Sequence, residues 1–211
     1  MAYDLQEQEQ IEEVKAWWKE HGRLVILAVS VAVITISALQ GWRYYRHSQA
    51  LAAVTLYGQL ESAEHAGEHK KVRDIAQQII ARYGSTPYAA FAALSAARAG
   101  FDTGDLAGAK SSLQWAMERA REQEIKDLAR MRLAGVLLDE KSYAEALKLL
   151  ETKPVESMTG LYADLKGDIL LAQGKIAEAR SAYQLALDRS DGSSPYRNTI
   201  QLKLDALGEA K

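Results

Sequence analysis

Two hydrophobic patterns divide the chain: one uninterrupted apolar run, and after it a long stretch in which apolar positions recur at helical spacing. Between Arg23 and Arg43 lie nineteen residues without a charge, LVILAVSVAVITISALQGW, ten of them Leu, Ile or Val. As a helix rising ~1.5 Å per residue they span roughly 28 Å, close to the hydrocarbon thickness of a bilayer. Each branched aliphatic side chain contributes roughly −0.3 to −0.6 kcal/mol on the insertion scale. About 3 to 6 kcal/mol therefore favours insertion, before Ser30, Thr35, Ser37 and Gln40 subtract some of it. Trp17 and Trp18 precede the run and Trp42, Tyr44 and Tyr45 follow it, where amphipathic rings sit at headgroup level. A buried helix of a soluble protein rarely runs so far without a charged face. A cleavable signal peptide starts basic and has a shorter apolar core. The pattern predicts a retained transmembrane helix over residues 24–42.

Beyond it the chain repeats. Aligning turns at Gly104, Lys141 and Gly174, which are 37 and 33 residues apart, brings three sets into register: Leu106, Ala109 and Leu113; Tyr143, Ala146 and Leu150; Ile176, Ala179 and Tyr183. Seven positions before each turn stand the small residues Ala97, Ala134 and Gly167, where two antiparallel helices approach closely and a large side chain would clash. The spacing resembles the tetratricopeptide repeat, without that repeat's early tryptophan. Residues 48–66 and 68–83 read as a degenerate first helix pair, closed by a stop-and-restart signal at Gly84, Ser85, Thr86 and Pro87. Ser193, Ser194 and Pro195 read as the start of a helix whose stripe Ile200, Leu204 and Leu207 caps the last repeat. The predicted fold is all-α: one transmembrane helix, then a tetratricopeptide-like solenoid over residues 43–211.

Composition agrees. Prolines number 3 and phenylalanines 2, while good helix formers dominate. The net charge of −2 conceals a partition: residues 1–23 carry six acids against Lys15, Lys19 and Arg23, leaving about +1 for residues 43–211. Neither part is basic enough to engage nucleic acid. Within the tail, Leu5, Ile11, Val14, Trp17 and Trp18 lie at mostly helical spacing, an amphipathic lead-in to the membrane. Topology is nearly balanced, with Lys15, Lys19 and Arg23 against Arg43 and Arg46, a lean of one charge toward a cytoplasmic amino terminus. The chain has no cysteine, which excludes disulfides, thiol nucleophiles and thiolate metal sites.

Candidate chemistry is sparse. His65 and His69, four residues apart near Glu61, Glu64 and Glu68, have a zinc-like spacing, but Gly67 interrupts the helix and no closing ligand follows. Asp102, Gly104 and Asp105 resemble part of a calcium loop but lack the twelve-residue pattern. No phosphate loop, dinucleotide fingerprint or catalytic motif is present, so the reading is non-enzymatic and free of cofactors. In a solenoid of this kind the first helix of each pair lines the inner surface. That placement makes Phe91, Leu94 and Arg98, then Leu128 and Met131, then Leu161, Asp164 and Asp168 the candidate partner-binding groove. Reversing the charges of Arg98, Asp164 and Asp168 together is expected to weaken capture without unfolding the domain.

Three segments resemble the YfgM-like family, the ancillary SecYEG translocon subunits of proteobacteria. They are EQIEEVKAWWKEHGR at residues 9–23, GWRYY at 41–45, and LYADLKGDILLAQGKIAEARSAY at 161–183, including Ala163, Asp164, Leu165, Gly167 and Asp168. Departures lie mainly in the first helix pair. The resemblance implies a single-pass protein of the bacterial inner membrane, with residues 1–23 as a cytoplasmic tail and the repeat domain periplasmic. It also implies association with the SecYEG translocon and with the membrane-anchored periplasmic chaperone PpiD, assisting client polypeptides as they emerge, with membrane lipid around the anchor. Two other classes remain: a scaffold recruiting fixed folded partners, and a membrane-tethered enzyme with an unrecognised site.

Overall fold

The computed structural model describes residues 2–191, 194 and 196–208, without the side chains of residues 2–10 and 14. Ser193 and Pro195 of the expected helix start, and the Leu5 and Val14 side chains of the tail stripe, therefore lie outside the described residues. Among the described residues every regular element is helical: α1 (Ala2–His65), α2 (His69–Tyr83), α3 (Pro87–Asp102), α4 (Leu106–Arg119), α5 (Gln123–Asp139), α6 (Tyr143–Leu149), a 3₁₀ turn (Glu156–Met158), α7 (Thr159–Ala172), α8 (Ile176–Asp188) and α9 (Tyr196–Ala206). They form two compact units, one ending at Ser48 and one beginning at Gln49.

The first unit is the amino-terminal part of α1. Its apolar window has the length and composition of a membrane span, and none of it is covered by protein. Leu24, Ile26, Leu27, Val29, Val31, Val33, Ile34, Ile36 and Leu39 are all exposed, whereas a core helix of a soluble protein hides such a face. The hydroxyl of Thr35 donates back to the Val31 carbonyl at 2.8 Å, so this polar group is satisfied within the helix and costs little in hydrocarbon.

The second unit is a run of antiparallel helix pairs. The end of α1 and α2 form the first pair, joining α3 in a core of Leu60, Ala63, Val72, Ile75, Ala76, Ile79 and the α3 alanines. The next core runs from α3 through α4 and α5 to Ala146 of α6 and Ile169 of α7. The last joins α7, α8 and α9 around Tyr183, Ile200 and Leu204. Trp115 packs against the first two cores and Leu147 against the second and third, so each pair buries its apolar face on its neighbours, as a solenoid requires.

The repeat turns share one backbone solution. Gly104, Lys141 and Gly174 have φ of 78°, 62° and 76°. After each turn an N–H reaches back to the carbonyl five residues earlier: Asp105 to Gly100 at 2.8 Å, Ser142 to Leu137 at 2.8 Å and Lys175 to Leu170 at 3.0 Å. This is the left-handed helix stop that glycine adopts without a Cβ penalty. A fourth copy stands at Gly67, φ 68°, where Glu68 donates to Ala63 at 2.9 Å. Gly67 is 37 residues before Gly104, so the first pair keeps the repeat's register. Its pattern was hidden because Leu60 and Val72 occupy the small-residue positions. Lys141 is the one non-glycine with positive φ among the described residues. Lys141→Gly is expected to stabilise the domain by about 1 kcal/mol, raising the thermal midpoint by roughly 2 to 4 °C; an unchanged or lower midpoint by circular dichroism would contradict it.

Candidate partner-binding face

The groove candidates fall on α3, α5 and α7, but they do not form one uniform surface. Phe91 is 41% exposed and belongs to an aromatic group with Tyr57, whose ring centroid is 6.3 Å from that of Phe91 and 5.6 Å from that of Tyr88. Burial raises the Tyr57 hydroxyl above its ordinary pKa, with further push from Glu61 and Glu64, so it remains a neutral hydrogen-bonding group. Leu94 is in the core at 7% exposure. Arg98 is open to solvent, with Asp102 Oδ2 at 3.7 Å from its Nε. Leu128 is half-buried against the central core, and Met131 and Leu161 are half-buried.

Asp164 and Asp168 are already engaged. From α9, Lys203 donates to both oxygens of Asp164 at 2.8 and 3.0 Å and to Asp168 Oδ2 at 2.8 Å. Tyr183 donates its hydroxyl to Asp168 Oδ1 at 2.7 Å. Arg180 binds the backbone carbonyls of Leu207 and Gly208 at the end of the same helix. The two acids thus latch the capping helix onto the last repeat. Reversing them alongside Arg98 therefore acts on the attachment of the capping helix as well as on the groove, so loss of capture by that triple variant reports on the groove only when its thermal midpoint is unchanged. Burial raises Asp164 above the usual carboxylate range, against the opposing pull of Lys203. Burial also pulls Lys203 down, but its bonds to Asp164 and Asp168 outweigh this and leave it above its ordinary value. Tyr183 is raised by burial and by Asp168.

The alkaline behaviour of this latch follows. For Lys203 and Tyr183 the folded state holds its proton to higher pH than the unfolded chain, whose groups titrate near 10.5 and 10.0. Their contribution is therefore complete below about pH 10 and lost as pH rises beyond it. The thermal midpoint is expected to fall as pH rises above about 10, and less steeply in Lys203→Met; parallel profiles for the two proteins would contradict this.

Asp127 is the residue that sequence reasoning missed. Its side chain is 0% exposed and accepts from Gln123 Nε2 at 2.9 Å, from Arg130 and from the backbone N–H of Val155 at 2.9 Å. Tyr162 donates to its carbonyl at 2.8 Å. The carboxylate ties the loop after the short helix α6 to α5, which fixes where the 3₁₀ turn launches α7. The available signal was an acid in helical register with Met131, Ala134 and Leu138 on α5, with an arginine three residues later.

No group of three or more His, Cys, Asp or Glu is placed to hold a metal among the described residues. His65 ends α1 and His69 opens α2, facing a shallow cleft shared with Glu64, Arg98 and Asp102. Asp105 accepts from the Gly108 N–H at 3.0 Å as the N-cap of α4, a repeat-turn role. Between α3 and α5 a cleft of about 460 Å³ has an apolar floor, with Arg98 and Arg132 on its walls. What the face offers is apolar contact and charge, the chemistry of peptide recognition.

Known proteins are similar along nearly the whole chain. The family described as tetratricopeptide repeat-like domain matches residues 15–209. A protein of Escherichia coli strain K12 named ancillary SecYEG translocon subunit is 31% identical over 202 residues, 95% of this chain and 96% of its own. Relatives of the same name from Neisseria gonorrhoeae and Haemophilus influenzae are 30% and 28% identical, each covering 98% of this chain and 100% of their own. With an uncovered apolar helix, repeat turns in one register and this end-to-end similarity, the chain belongs to the family of ancillary SecYEG translocon subunits with a tetratricopeptide repeat-like domain.

Proposed function

We propose that this chain is a non-enzymatic, membrane-anchored interaction subunit of the SecYEG translocon. In this reading residues 1–23 are cytoplasmic, residues 24–42 cross the inner membrane, and the repeat domain from residue 43 to residue 211 works in the periplasm. There it assists client polypeptides as they emerge, next to the membrane-anchored chaperone PpiD. The observation that carries the reading is the wholly uncovered apolar window of α1 on a chain whose full-length relatives are named for the translocon. An exposed stripe of that length is tolerable only against lipid or another apolar helix. The excess of one basic residue before the span supports the orientation.

The mechanism is tethering. Half-buried apolar groups and a few charges give weak contacts, because few positions are dedicated to fixed readout. Anchoring holds the groove at the membrane surface, where millimolar effective concentrations make weak affinity sufficient. A freed fragment beginning at residue 46 is therefore expected to serve emerging chains worse than the anchored protein at equal abundance; equal service would remove tethering from the mechanism.

Site-specific photocrosslinking in native membranes tests the rest. Probes at Val31 and Trp42 are expected to yield translocon adducts, and probes at Phe91 and Arg98 adducts with emerging chains and PpiD. Absence of translocon adducts from either membrane probe would sink the assignment. Adducts of the groove probes with folded partners alone would make the domain a scaffold.

A further inference from the structure

The cleft between α3 and α5 has a more specific chemistry than the groove as a whole. Its floor is closed and apolar: Ala97, Leu113 and Val136 are 3%, 1% and 5% exposed. Phe101 stands on the wall at 44% exposure, a large ring with one face unspent. The two cations differ in their surroundings. Arg98 has Asp102 beside it, whereas Arg132 has no ion-pair partner among the described residues. Instead, burial and the positive charge of Arg98 both press Arg132 below the ordinary arginine pKa. A guanidinium remains charged under such pressure, so the protein presents an exposed cation without an ion-pair partner among the described residues, near a second one, at the wall of a cleft with an apolar floor. An arriving carboxylate relieves that repulsion and meets a fork of donors suited to bidentate binding.

Resting on the reading of the domain as a polypeptide-capturing groove, we propose that this cleft is a subsite for a side-chain carboxylate of an extended peptide, with a neighbouring bulky apolar side chain seated against Phe101 and Leu113. The cleft volume of about 460 Å³ suits a few side chains rather than a whole helix. Emerging segments in which Asp or Glu adjoins Leu or Phe are the ones it selects. Asp139 on the same wall penalises a second acid and makes a basic peptide the competing occupant.

The test uses the full chain in lipid nanodiscs and three capped peptides, Gly-Ser-Leu-Asp-Phe-Ser-Gly and the same sequence with Asn or Lys in place of Asp, read by anisotropy of a neutral dye. The Asp peptide is expected to bind about tenfold more tightly than the other two, the scale of one charge-assisted hydrogen-bonded contact. Arg132→Gln should bring it to the level of the Asn peptide while leaving the Asn peptide unchanged, and Arg132→Lys should restore part of the preference. Phe101→Ala, which leaves the cation in place, should weaken all three peptides several-fold. Preference for the Lys peptide, a preference for Asp that survives Arg132→Gln, or no binding of any peptide would each overturn the proposal. Client adducts from Phe91 and Arg98 in membranes, found without an acid preference, retire only the subsite. Intact acid preference without such adducts retires the capture role and leaves the subsite standing.

Discussion

An Asp127→Ala protein is expected to unfold roughly 10 °C below the parent, a loss of about 3 to 5 kcal/mol, typical of removing one partner from a buried ion pair. The carboxylate is wholly enclosed; of its three donors Gln123 is exposed, whereas Arg130 and Val155 are partly buried. Arg130, only 14% exposed at its side chain, is left as an uncompensated cation, and the Val155 N–H loses its acceptor. Each orphaned group costs its desolvation as well as its bond. Asp127→Asn keeps an acceptor for one donor but removes the charge opposite Arg130, so it is expected to lose less. Because Asp127 ties the loop at Val155 to α5, loosening it also shifts α7, which carries Leu161, Asp164 and Asp168. Capture at the last repeat should therefore fall before the domain melts. A melt monitored by far-ultraviolet circular dichroism decides the matter, and a midpoint lowered by less than about 2 °C would show the network to be dispensable.

Much of this architecture was legible because its determinants are local. The apolar run declares itself by length, and the repeat by small residues at fixed offsets. Gly104 and Gly174 mark left-handed turns that few other residues adopt; Lys141 was found only through its neighbours Ala134, Ala146 and Leu150. Ala109, Ala146 and Ala179, aligned from the sequence, are all 0% exposed. What remained hidden depends on contacts distant in sequence. That Asp164 and Asp168 serve α9 rests on Lys203, 39 and 35 residues away. Asp127 reaches across 28 residues to Val155. Helical periodicity places a residue on a face but does not say whether that face meets solvent, partner or another part of the chain. Hence Arg98 emerged exposed, Leu94 buried and the two acids paired, although all four were selected by one rule.

Gly167→Ala should lower stability by about 2 kcal/mol, although alanine is the better helix former by ~1 kcal/mol. A Cβ built at Gly167 lies 2.5 Å from both Cδ1 and Cε1 of Tyr183 and 3.0 Å from its Cζ. A neighbour must move, and neither is free to. Tyr183 is 0% exposed and its hydroxyl is fixed by Asp168 at 2.7 Å. Asp168 is in turn held by Lys203 of the capping helix. The strain therefore spreads into the latch rather than being absorbed by a rotamer change, and α9 is the element expected to loosen first. Gly135→Ala supplies the contrast: that glycine is also helical, but nothing lies within 4 Å of its added Cβ, so the substitution should stabilise by about 0.5 to 1 kcal/mol. The decisive measurement is a double-mutant cycle with Tyr183→Leu. If the Gly167 clash is with that ring, Gly167→Ala should cost little or become favourable once the ring is gone. A cost that persists in the Tyr183→Leu background would place the defect in the α7 backbone and remove the close helix approach as the reason for glycine at this position.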